Sequence, residues 1–123
     1  MSSPTVVIAQ NDPTTAIELA NQLRAHFARV TVAENAVKLH AMLLRHEAWM
    51  AVLDLEVVSL EGIRQLANTL SDLAIVATHR SPDERMWMAA VSAGAVEFCH
   101  PQDIRSILRA SRAAAKQLVA IAS

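Results

Sequence analysis

Residues 50 to 62 read Met50-Ala51-Val52-Leu53-Asp54-Leu55-Glu56-Val57-Val58-Ser59-Leu60-Glu61-Gly62. The run from Met50 to Asp54 is apolar until it ends on a carboxylate, and Gly62 follows eight residues later. A short run that is continuously apolar, with no alternation, predicts a strand buried on both faces, as in a parallel sheet covered by helices. Working outward, the pattern recurs at Thr5 to Ala9, Arg29 to Ala33, Leu73 to Thr78 and Ala95 to Cys99.

The segments between these runs have helical period and their own start signals. Asp12-Pro13 predicts an N-cap with proline at the first helical position, and a helix running to about Phe27 with Ile17, Ala20, Leu23, Arg24 and Phe27 on its stripe. Asn35 predicts the cap of a helix bearing Leu39, Met42, Leu43 and His46, and Ser59 that of one bearing Ile63, Leu66, Ala67 and Leu70. Ser81-Pro82-Asp83-Glu84 reads as a capping box with proline at the first position, and Gly94 as a left-handed C-cap. A last helix from near Asp103 carries Ile104, Ile107, Leu108, Ser111, Ala115 and Leu118 on one stripe. Arg105, Arg109, Arg112 and Lys116 recur on another face, read as solvated. Five βα units predict an open, doubly wound parallel α/β sheet in one domain spanning residues 1–123, with no internal repeat or linker.

Composition narrows the function. The 123 residues are 53% hydrophobic and 19% charged with a net charge of -1, which predicts a packed core and gives no bulk attraction to nucleic acid. The single cysteine, Cys99, forms no internal disulfide and no paired-thiolate zinc site. Two distant glycines, Gly62 and Gly94, exclude the GxGxxG, GxxxxGK and GxSxG loops. His26, His40 and His46 lack the HExxH pairing and read as surface or half-buried, and His79 as a loop residue. No apolar run approaches the roughly 20 residues of a membrane helix, and Ser2, Ser3 and Pro4 make no basic leader. A cytoplasmic protein without membrane or direct nucleic-acid contacts is expected.

In a doubly wound sheet the ligand crevice lies beyond the carboxyl ends of the strands. Gln10, Asn11 and Asp12 after strand one, Asp54 ending strand three, Thr78 ending strand four and His100 after strand five should converge there. Asp12 and Asp54 together would be candidate oxygen ligands for Mg²⁺.

These residues resemble the receiver domain of two-component response regulators, over essentially the whole chain. The resemblance implies a flavodoxin-like sheet in strand order 2-1-3-4-5. It also implies that Asp54 with the Gly62 spacing is the phosphoacceptor, Thr78 the switch hydroxyl, and Ala93-Gly94-Ala95 the small-residue turn before strand five. Three departures mark an atypical member. Neutral Gln10 and Asn11 stand where the family has an acidic pair, leaving Asp12 one position late. His100-Pro101 replaces Lys-Pro, and Val58 replaces a loop proline.

The implied metal set is therefore Asp12, Asp54 and Asn11, expected to hold Mg²⁺ weakly because neutral amides compete poorly with its hydration shell. Phosphoryl chemistry should be weakened too, since His100 is mostly uncharged at neutral pH. Arg80 and Glu56 are conceivable replacements for the missing cation and carboxylate. Met86, Trp87 and Met88 exceed what one buried stripe can hide, so Trp87 and Met88, with Phe98, are expected to form a partner surface. The resemblance implies a histidine kinase or other signalling protein as partner, and a homodimer through the face of helices four and five. The alternative is a small α/β ligand- or nucleotide-binding protein, or an enzyme, using the same crevice.

Overall fold

Five strands, β1 (Thr5–Ala9), β2 (Arg29–Val32), β3 (Met50–Asp54), β4 (Ala74–Thr78) and β5 (Glu97–Cys99), alternate with five helices. The helices are α1 (Pro13–Leu23), α2 (Ala36–Arg45), α3 (Leu60–Thr69), α4 (Glu84–Ala93) and α5 (Ile104–Ala122). This computed structural model describes residues 5–122, and the side chains of α5 through residue 113. All strand pairs are parallel, in the order β2-β1-β3-β4-β5.

The unbroken apolar runs are explained by two separate cores, one on each face of the sheet. Val6, Ile8, Met50, Val52, Ala74 and Val76 point to a layer closed by Leu19, Ala20 and Leu23 of α1 and Ile107 and Ala110 of α5. Their sequence neighbours Val7, Ala9, Ala51, Leu53, Ile75 and Ala77 point the other way, to Leu39 and Leu43 of α2, Ile63 and Leu66 of α3, and Ala90 and Ala93 of α4. A strand that alternates its side chains between two buried layers must be apolar at every position.

Asp12, Asn35 and Ser59 cap their helices, accepting from the backbone N–H groups of Thr15, Lys38 and Gly62. Gly94 closes α4 at φ 118°, and its N–H bonds to carbonyl oxygens of the last turn. A β-carbon there would lie 2.6 Å from Cβ of Ala67 on α3, so two helices meet where glycine leaves room.

Several local expectations are corrected. α1 ends at Leu23, four residues early, because the His26 N–H turns back three residues to the Leu23 carbonyl and not four to that of Gln22. Phe27 packs from beyond the helix against Trp49, ring centroids 6.0 Å apart. Ile17 is 61% exposed, since the buried stripe of α1 is Ala16, Leu19, Ala20 and Leu23. The capping box at Ser81 does not form: Asp83 is the N-cap, its carboxylate accepting from Met86 N–H at 2.8 Å, while the Ser81 N–H is held by His79 Nδ1. Pro82 thus precedes the cap. β5 is shorter than the run from Ala95, whose N–H returns to Ala90 of α4 and so cannot pair in the sheet. β2 stops at Val32, one residue short, and β4 begins one late at Ala74. Ser111 is buried and donates to the Leu108 carbonyl, while Arg105, Arg109 and Arg112 are exposed. The side chains of Ala115, Lys116 and Leu118 lie outside the described residues.

Candidate functional site

Strand register sets the site. Ala9 pairs with Leu53 and Asp54 with Thr78, so Gln10, Asp54 and Thr78 stand abreast at the carboxyl ends of β1, β3 and β4. All three are buried, Thr78 completely.

Asp54 is held by two backbone donors. Its Oδ1 accepts from Glu56 N–H and its Oδ2 from Asn11 N–H, each at 2.9 Å. These bonds belong to the two loops on either side, so the β1–α1 and β3–α3 turns are fastened to one carboxylate. Gln10 Nε2 donates to Thr78 Oγ1 at 2.9 Å, from β1 to β4 past the end of β3.

Outside this row lies a second cluster centred on Glu56. Its carboxylate receives Arg80 Nε at 2.9 Å and Asn11 Nδ2 at 3.2 Å, with His79 Nε2 at 3.6 Å. His79 Nδ1 accepts from Ser81 N–H, so in the neutral ring the proton sits on Nε2, toward Glu56. Arg80 and Glu56 therefore come together, but they engage each other. With His79 neutral, the carboxylates of Asp54 and Glu56 and the Arg80 guanidinium leave one net negative charge.

The expected Mg²⁺ set does not converge. Asp12 is fully exposed, and its carboxylate turns along α1 to accept from the Thr15 hydroxyl at 2.8 Å and the Thr15 N–H at 3.3 Å. The hydroxyl bond holds its carboxyl below the usual carboxylate value. Its role is that of a cap. Asn11 presents N–H groups inward, to Asp54 and Glu56, and donors repel a cation. Among the described residues no group of three or more His, Cys, Asp or Glu side chains could hold a metal ion. Asp54 remains as one carboxylate beside a neutral amide and an ion-paired glutamate, a donor set that does not fit a tightly held hard divalent cation.

His100 lies at the turn into α5, where its Nδ1 accepts from Gln102 N–H at 3.0 Å. It lines a groove of about 410 Å³ between α4 and α5, together with Trp87, Phe98 and Asp103. Trp87 and Met88 are 47% and 58% exposed, as a partner surface needs. Phe98 is only 5% exposed and belongs to the core under α4, so its place on that surface is corrected. Cys99 is buried, and that burial, with Asp103 and Glu97 nearby, pushes its thiol up to about 12.

The sequence reading placed Gln10 and Thr78 at converging strand ends but missed the bond between them. The available signal was an amide and a hydroxyl at the ends of strands that the topology places on either side of β3.

Neither protein-family profiles nor curated sequences match the chain. Solved structures do. A response regulator from Thermotoga maritima has a TM-score of 0.77 at 21% identity, over 91% of this chain and 97% of that one. A two-component response regulator from Clostridium difficile has a TM-score of 0.79 at 12% identity, over 94% and 98%. A response regulator protein from Burkholderia pseudomallei, solved with a phosphorylated aspartic acid, calcium ion and citrate, has a TM-score of 0.77 at 22% identity, over 98% and 73%. No described helix is long and apolar enough to cross a membrane. The five-stranded order, the coverage of nearly the whole chain and these superpositions together give the chain the receiver-domain fold of response regulators.

Proposed function

We propose that the chain is an atypical receiver-like signalling domain in a phosphorelay setting, with Asp54 at the phosphoacceptor position, that works chiefly through protein contacts. The observation that carries this is the chemistry around Asp54. Both its oxygens accept backbone N–H groups, its flanking amide binds Thr78, and the nearest second carboxylate is neutralised by Arg80. A phosphoryl group arriving at such a site finds little to neutralise its charge, and a divalent cation finds few free anionic oxygens. Phosphoryl transfer, with Mg²⁺ bound only weakly, is correspondingly slow. Contact with a signalling partner falls to the half-exposed face of α4 around Trp87 and Met88.

The test is intact mass after incubation with a small phosphodonor and Mg²⁺, with Asp54→Asn as control and an ordinary receiver alongside. The expected result is at most a trace adduct under conditions that label the ordinary receiver fully. A stoichiometric adduct on the wild type, absent from the variant, overturns the weakened chemistry while keeping Asp54 as acceptor. An equal adduct on both overturns the assignment of Asp54. The reading as a small enzyme gains no support from the strand ends, where the polar side chains are engaged with one another.

A further inference from the structure

We infer that Gln10 is a positioning residue: its amide holds the Thr78 hydroxyl across the end of β3, and so fixes the turn from β4 into α4 with no group added to Asp54. The inference rests on the signalling reading only for its consequence, since the contact itself exists in the unmodified chain.

The geometry is demanding. β1 and β4 are separated by β3, so the Cα atoms of residues level on those strands lie two strand spacings apart, about 9.5 Å. The 2.9 Å bond closes that span between the Gln10 amide and the Thr78 hydroxyl. Asparagine, one methylene shorter, falls short. The bond is also dry: Gln10 is 8% exposed and Thr78 0%, so breaking it leaves two buried polar groups without the partner they now have.

What it fixes follows from the chain. Thr78 is the last residue of β4; its carbonyl accepts from Leu55 N–H at 3.0 Å, and it is paired with Asp54 on one side and Cys99 on the other. His79 follows with its N–H on the Cys99 carbonyl, Arg80 reaches Glu56, and α4 begins at Glu84 after the Asp83 cap. The five residues between Thr78 and α4 thus leave from a point tied sideways to β1, and α4 carries the exposed Trp87 and Met88. Holding Thr78 holds the root of that surface.

The experiment is backbone hydrogen exchange on the full chain, comparing the wild type with Gln10→Met, Thr78→Val, the double variant and Thr78→Ser. Methionine and valine keep the volume and remove the bond; serine keeps the hydroxyl. The expected result is about a fivefold faster exchange for the hydrogen-bonded amides of His79 and Ser81 in either single variant. The double variant should add nothing, and Thr78→Ser should restore wild-type rates. Additive effects of the two single variants, unchanged rates, or acceleration spread evenly over the Val7 and Ile75 amides would overturn the inference. Should Gln10→Met not fold, Thr78→Val against Thr78→Ser still decides it. Because no phosphodonor enters, failure here leaves the proposed function standing, and labelling of Asp54 leaves this inference standing.

Discussion

Replacing Gly94 with alanine should cost about 3 kcal/mol, from two sources that can be separated. The backbone at φ 118° is unfavourable for an L side chain, by roughly 1–2 kcal/mol. The added β-carbon would also lie 2.6 Å from Cβ of Ala67, a contact that neither side chain can rotate away from. Relief requires α3 and α4 to separate, and overpacking of this kind costs typically 1–3 kcal/mol. Against a total stability of about 5–15 kcal/mol, the loss should lower Tm by about 12 °C for a domain of this size. Urea unfolding of the wild type, Gly94→Ala, Ala67→Gly and the double variant measures both parts. In the Ala67→Gly background the steric part vanishes and the backbone part stays, so the cycle should give a coupling of about 1–2 kcal/mol. A cost below about 1 kcal/mol for Gly94→Ala would refute the reasoning on both counts. An equal cost in the two backgrounds would refute the helix contact alone.

Asn35→Ala should destabilise by about 1 kcal/mol, measured by thermal melting, because the Lys38 N–H loses the acceptor that caps α2, whereas Asn35→Asp should stay within a few tenths. Cys99, with its thiol raised by burial and by Asp103 and Glu97, should resist alkylation at about pH 8 in the folded chain and react at an ordinary cysteine rate in urea; equal rates by intact mass would contradict this. The hydroxyls of Thr15 and Ser106 hold the carboxyls of Asp12 and Asp103 below their ordinary value of 3.8. Groups lowered in the folded state contribute fully above that value and lose their contribution as pH falls through the folded one. Urea midpoints should therefore stay level from about pH 7 to 5 and drop below about pH 4, less steeply in Asp103→Ala.

The parallel sheet was legible because its central strands β1, β3 and β4 bury both faces, which makes runs such as Val6-Val7-Ile8-Ala9 continuously apolar, whereas the edge strand β2 is half exposed. The caps at Asp12, Asn35 and Ser59 were legible because each is decided by one side chain within three residues. At Ser81 two acceptors competed, and the Asp83 carboxylate took the cap while a histidine seventeen residues before Val96 occupied the rival N–H. Ile17 showed the limit of periodicity: two overlapping stripes share α1, and the fit to the sheet selected the one through Ala16. At the site, the residues near the strand ends were identified but their partners were not. Arg80 and Glu56 were each weighed against Asp54, and a guanidinium beside a carboxylate met that carboxylate first. Gln10 could be placed at the end of β1 from its neighbours, yet its bond depends on which strand lies two places away, which only the strand order decides.

The two tryptophans sit in different worlds. Trp49 packs on Phe27 in the layer closed by α1 and α5, whereas Trp87 stands half in solvent on α4, across the sheet. The chain thereby contains two intrinsic optical reporters of unlike sensitivity. With Trp49 replaced by phenylalanine, emission describes the α4 surface and whatever lands on it; with Trp87 replaced, it describes the integrity of the opposite layer. Binding and unfolding can then be followed in the same buffer by colour, without a label.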